Sequence, residues 1–80
     1  MRGSVNNQDY GVILFDSTQQ ALKTEKALKR AGFVIKLIPV PRQLSSDCGI
    51  CLRFTWADCA RIKEALAAAH LEVAGIYHLS

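Results

Sequence analysis

Two thiols stand three positions apart, Cys48 and Cys51, in a segment otherwise made of turn formers. It runs Val40-Pro41-Arg42-Gln43-Leu44-Ser45-Ser46-Asp47-Cys48-Gly49-Ile50-Cys51, and both prolines of the chain, Pro39 and Pro41, lie at its entrance. A thiolate is both a nucleophile and a metal ligand, so this spacing suits a reactive loop thiol, a dithiol/disulfide pair or a half-built metal site. Cys48 is the better candidate for a reactive thiol, because a turn is a poor place to bury a cysteine. Cys51 either serves as its resolving partner or fills a strand face. Arg42 and Arg53 are the candidate cations, since a nearby positive charge favours the thiolate. Gly49 leaves room beside Cys48 for another protein's loop. Asp47 opposes thiolate formation if it points at the sulfur, and caps the turn if it does not.

As metal ligands, Cys48 and Cys51 supply two of the four donors that a closed zinc site needs. His70 or His78 would have to come from elsewhere, since there is no second Cys-x-x-Cys pair. Copper(I) on two thiolates is the other metal reading. An enzyme is not expected. No His–Asp pairing adjoins Cys48, and Gly11, Gly32 and Gly49 are isolated rather than gathered in a phosphate-binding loop. No cofactor is implied.

The frame that must position this segment is small. Eighty residues, half of them hydrophobic and 21% charged, suit one packed domain rather than two. The chain divides into a flexible or vector-derived start over 1–9, opening Met1-Arg2-Gly3-Ser4, and a single domain over 10–80. No apolar run approaches the ~20 residues needed to cross a bilayer, and no signal-peptide pattern follows the basic start, so the expected location is cytoplasmic. Three cysteines are an odd count, against a closed disulfide framework. The net charge of +3 is mild. Lys23, Lys26, Lys29 and Arg30 read as the solvated face of a helix, and nucleic-acid binding is not expected.

Tyr10 to Phe15 reads as a buried central strand. Ser17, with Gln20 three residues on, has the form of a capping box opening a helix over 17–31, with Asp16 as the other cap. Ala21, Leu22, Glu25, Leu28 and Ala31 recur at helical spacing, and Gly32 stops the helix. The next strand spans 33–40, and Pro39 and Pro41, which cannot donate ladder hydrogen bonds, make it an edge or end it there. A third strand spans 49–54, where Ile50, Leu52 and Phe54 alternate with Cys51 and Arg53. Thr55 is the expected N-cap of a helix over 56–69, whose stripe is Cys59, Ile62, Leu66 and Ala69; Cys59 is thereby a core residue. Trp56 and Tyr10 are packing anchors, His70 and His78 surface or strand-end residues, and the final strand spans 72–79.

The order βαββαβ predicts an α+β ferredoxin-like two-layer sandwich, an antiparallel four-stranded sheet with both helices on one face. Val34, Lys36, Ile38, Cys51 and Arg53 then fall on the other face, which is partly apolar and calls for a partner or a second copy, a homodimer, to cover it.

The residues Val40-Pro41-Arg42 followed by Ser45-Ser46-Asp47-Cys48-Gly49 resemble the Putative Se/S carrier protein-like family, a group of small bacterial proteins. The likeness extends to Ser17-Thr18 after the first strand, to Glu25-Lys26 in the helix, and to Leu37-Ile38-Pro39 before the loop. It implies carriage of sulfur or selenium on a cysteine, as a persulfide or selenide, with a place in selenium metabolism. By that match Cys48 is the carrier thiol; apart from the match, the hydroxyls of Ser45 and Ser46 are candidate hydrogen-bond donors to a sulfur or selenium anion held there. The implied partners are a donor, either a cysteine desulfurase-type protein or a selenium donor, and an acceptor enzyme. Cys51 is not part of what the likeness requires. The other readings are a Cys48/Cys51 module for zinc or copper(I), and a regulatory or interaction domain that works through its open sheet face.

Overall fold

A computed structural model describes residues 9–42, 44 and 49–79. The elements run β1 (Tyr10–Leu14), α1 (Thr18–Arg30), β2 (Ile35–Pro39), β3 (Ile50–Thr55), a 3-10 turn (Trp56–Asp58), α2 (Cys59–Ala68) and β4 (Gly75–Leu79). The strands form one antiparallel sheet in the order β2-β3-β1-β4. This is the expected ferredoxin-like α+β arrangement. No helix among the described residues is long and apolar enough to cross a membrane.

Alternation divides the strands between two layers. Ile13, Phe15, Ile35, Leu52 and Phe54 point into one cluster with Ala21 and Leu28 of α1 and Ile62 and Leu66 of α2. Both helices therefore cover the same face. On the other face Val12, Leu14 and Cys51 form a second, smaller cluster. β1 lies between β3 and β4, so its side chains are buried both ways, as its unbroken apolar run suggests.

Local chemistry explains the ends of the elements. Ser17 has extended backbone, and its hydroxyl accepts the Gln20 N–H at 3.2 Å, which satisfies one unpaired donor of the first turn of α1. α1 buries Ala21, Thr24 and Leu28, whereas Leu22 is exposed. The buried stripe thus runs i, i+3, i+7, one position away from the leucine expected in it. Both helices finish in the same way. After α1, Gly32 and Phe33 donate to the Lys29 and Leu28 carbonyls at 3.0 and 3.1 Å. After α2, His70 and Leu71 donate to Ala67 and Leu66 at 3.2 and 2.9 Å. This double bond needs a left-handed residue at its centre. Gly32 takes that conformation at φ 94°, and His70 takes it at φ 55° with a Cβ.

Several boundaries differ from the sequence expectation. Thr55 is not the N-cap of an α-helix: it remains in β3 opposite Tyr10, and its side chain makes no capping bond. The chain then turns through 3-10 geometry before α2 begins at Cys59. Ala69 lies past the end of α2 and is exposed, and half-buried Ala65 packs on the core instead. Phe33 and Val34 fall outside β2 because Phe33 is engaged in closing α1. Residues 72–74 precede β4, although Ala74 already donates to Leu14 at 2.7 Å.

At the end of the sheet away from the β2–β3 connection, Trp56 stacks between Phe54 and His78, with ring centroids 5.9 and 4.3 Å apart. Gly11 makes the stack possible. A Cβ there would lie 2.5 Å from the Phe54 ring and 2.6 Å from the Trp56 ring. Gly11→Ala should therefore lower unfolding stability by about 1–3 kcal/mol through overpacking, read from the midpoint of urea unfolding. His70→Gly should raise it by about 1 kcal/mol, because glycine takes the left-handed position without the Cβ clash. An unchanged midpoint in either variant would contradict these assignments.

Candidate functional site

The loop between β2 and β3 is closed at its base by a hydrogen bond from the Val40 N–H to the Gly49 carbonyl, 3.2 Å long. Just inside that neck the Leu44 N–H donates to Pro41 at 3.0 Å, which makes a tight turn that carries Arg42 on its exposed side. Proline suits this entrance because Pro39 ends the ladder and Pro41 offers only its carbonyl. The far side of the neck is Gly49, exposed, with no heavy atom within 4 Å of the position a Cβ would take. Cys48 itself, Ser45, Ser46 and Asp47 lie outside the described residues.

Cys51 is fully buried. In the sheet it stands between Leu14 of β1 and Ile38 of β2. Val40, Leu44 and Leu79 pack against its cluster along with Ile38. The face expected to be open is therefore closed at this end by the protein's own chain: the two residues that flank the Pro41 turn fold down over the sheet. Because β1 has apolar residues on both faces, the second face needs a cover, and the helices are already committed to the first.

Arg53 is two residues along β3 from Cys51 on the same face, roughly 7 Å away along the strand. It was expected near the loop thiol. Its guanidinium lies over the Tyr10 ring, 4.5 Å from the centroid, and the thiol it was expected to reach is outside the described residues. This stack favours the cation without help from a carboxylate. Arg42 is left as the candidate cation on the loop itself. Cys59 opens α2, half-buried against the helix-side core, as its place on the stripe suggested. His78 contacts Asp9 at 3.6 Å at the far end of the sheet, and exposed His70 caps α2. No group of three or more His, Cys, Asp or Glu side chains able to hold a metal occurs among the described residues.

Sequence reasoning missed the cover over Cys51. A signal for it was available: Gly-Val-Ile-Leu-Phe has no polar alternation, so both faces of that strand had to be buried. Iodoacetamide should accordingly leave Cys51 unmodified in the native protein and reach it only as urea unfolds the sheet. Rapid labelling of Cys51 in buffer, found by peptide mass mapping, would contradict its burial.

Comparison with known proteins bears on what this loop serves. A protein of Escherichia coli (strain K12) named "Uncharacterized protein YtiA" is 38% identical over 48 residues. That match takes in 60% of this chain and 53% of the relative, so the chain spans about half the length of the curated relative it matches. No solved structure matches. The model of the family described as "Putative Se/S carrier protein-like" matches residues 10–78, from the first residue of β1 to the penultimate residue of β4. The chain belongs to that family.

Proposed function

We propose that this protein carries sulfur or selenium on the Cys48 thiol and delivers it to an acceptor enzyme, without catalysing a reaction of its own. Membership of the Se/S carrier-like family carries the reading, and it makes a donor and an acceptor necessary in general terms. The surroundings support the choice of thiol. Of the two cysteines of the Cys-x-x-Cys pair, Cys51 is sealed in the sheet. Cys48 adjoins Gly49, which is exposed and open on its Cβ side.

The chemistry balances without an added oxidant. The Cys48 thiolate attacks the outer sulfur of a persulfide on the donor, a cysteine desulfurase-type protein. The donor's S–S bond breaks, a new S–S bond forms on Cys48, and the donor leaves as a thiolate. Delivery is the same exchange with Cys48 as the leaving thiolate, and a selenium atom in place of the outer sulfur follows the same course. Arg42, exposed in the turn, would favour the attacking thiolate, and Ser45 and Ser46 would donate hydrogen bonds to the bound anion. Cys51 would act as a resolving thiol only if the sheet opened. Its burial supports a packing role instead.

Cys48→Ser should lose persulfide loading from a cysteine desulfurase supplied with cysteine, while its circular dichroism stays native. The readout is the mass increment of one sulfur atom on the intact chain. Loading retained in Cys48→Ser would end this assignment, and a bound metal found by native mass spectrometry in its place would favour the ligand reading. Cys51→Ala should leave the amount of Cys48 adduct unchanged, whereas a resolving thiol would let the adduct accumulate on its loss. Arg42→Ala should slow alkylation of Cys48 near neutral pH by a factor of a few.

A further inference from the structure

Away from the loop, the sheet face opposite the helices carries two positive charges side by side. Lys36 of β2 and Arg53 of β3 are direct partners in the ladder and point to the same face. Cross-strand partners have Cβ atoms about 5 Å apart, and like charges at that spacing destabilise a sheet. Neither residue has a carboxylate partner among the described residues, where the ion pairs are Glu25–Lys29, Asp58–Arg61 and Asp9–His78. Both line one open cleft of about 290 Å³, shared with Tyr10, Val34 and Thr55 and without an acidic residue among those that form it. One face of the Arg53 guanidinium rests on Tyr10, which holds it in place and leaves its in-plane N–H donors for a ligand. Val34, at the rim, is 80% exposed, the most exposed of the large hydrophobic residues described.

We propose that this cleft docks an acidic segment of a protein partner, with a carboxylate seated between Lys36 and Arg53 and a neighbouring apolar side chain laid on Val34. The positive pair asks for an anion, and two cations on adjacent strands can converge on one carboxylate. A free inorganic anion would use the pair but leave Val34 idle; a peptide uses both. The proposal takes from the carrier reading only that a protein partner exists. Its test needs no sulfur chemistry, so the two can fail separately.

The probe is an acetylated peptide of alternating glutamate and leucine, titrated at low salt into the isotope-labelled protein with no sulfur donor present. A second peptide carries glutamine in place of each glutamate. The acidic peptide should shift the amide resonances of Val34, Lys36, Arg53 and Thr55, and the glutamine peptide should bind about tenfold more weakly or worse. Lys36→Glu should weaken the acidic peptide by a similar factor while the thermal midpoint stays level or rises, because the ladder pair then becomes one of opposite charges. If that variant unfolds, Lys36→Gln decides by the same loss of affinity. Val34→Ser should weaken the peptide without altering the response to inorganic phosphate. Equal binding of both peptides, or shifts centred elsewhere, would overturn the proposal. Saturation of the same residues by phosphate with no effect of Val34→Ser would make the cleft a small-anion site instead. Shifts at these residues that grow with protein concentration alone would make it a contact between two copies.

Discussion

The structure depends on the burial of β1 from both sides. Val12, Ile13, Leu14 and Phe15 are each 4% exposed or less, though they alternate between opposite faces of the sheet. Full burial of such a side chain contributes about 1.5–3 kcal/mol, so neither face can be given up lightly. A βαββαβ chain places both helices on one side, and here they cover Ile13 and Phe15. The other side must be covered by something else. Over the cluster of Val12, Leu14 and Cys51 the cover comes from Ile38, Val40, Leu44 and Leu79. The connection after β2 is thereby tied to the sheet by apolar packing as well as by its neck hydrogen bond.

That tie fixes the surroundings of Cys51, three positions along the chain from Cys48. A strand sends successive side chains to opposite faces, and Cys51 falls on the face that the chain folds back to cover. Gly49, two residues earlier, is at the rim of the neck and open to solvent. A loop that projects from a fixed base can present one group to a partner while the base stays rigid. The packing of Val40 and Leu44 provides such a base, so Cys51 supports the loop as part of the layer on which it rests.

The cover does not extend over the whole face. Toward Tyr10 and Thr55 the sheet carries Arg53 on its aromatic support, Lys36 beside it and Val34 at the edge. The face is apolar and sealed at the loop end and cationic and open at the other. On the helix side of that second end, the Phe54–Trp56–His78 stack fills the space over Gly11. Aromatic packing on one side and a charge pair with no carboxylate partner among the described residues on the other meet across strands of ordinary length. The two ends of β3 are therefore chemically distinct surfaces.

Much of this was legible in the residues alone. Period-two alternation in Ile50 to Phe54, Ser17 with Gln20, Gly32 after a helical stripe, and proline at the end of β2 each act through near neighbours in the chain. They defined element types, their order and hence the sandwich, and the Pro-Arg…Cys-Gly segment pointed to the family. Tertiary structure decided what depends on register and on the return of the chain. Cys51 is sealed because Val40 and Leu44 come back over it; Arg53 lies on Tyr10 because the β1–β3 ladder sets Tyr10 against Thr55; Lys36 faces Arg53 because β2 pairs with β3 at that offset. The helix start at Cys59 rather than Trp56 has the same origin, since pairing with Tyr10 holds Thr55 in the strand. Patterns along a chain report which face a residue takes; only the register and the path of the connections determine what stands opposite it.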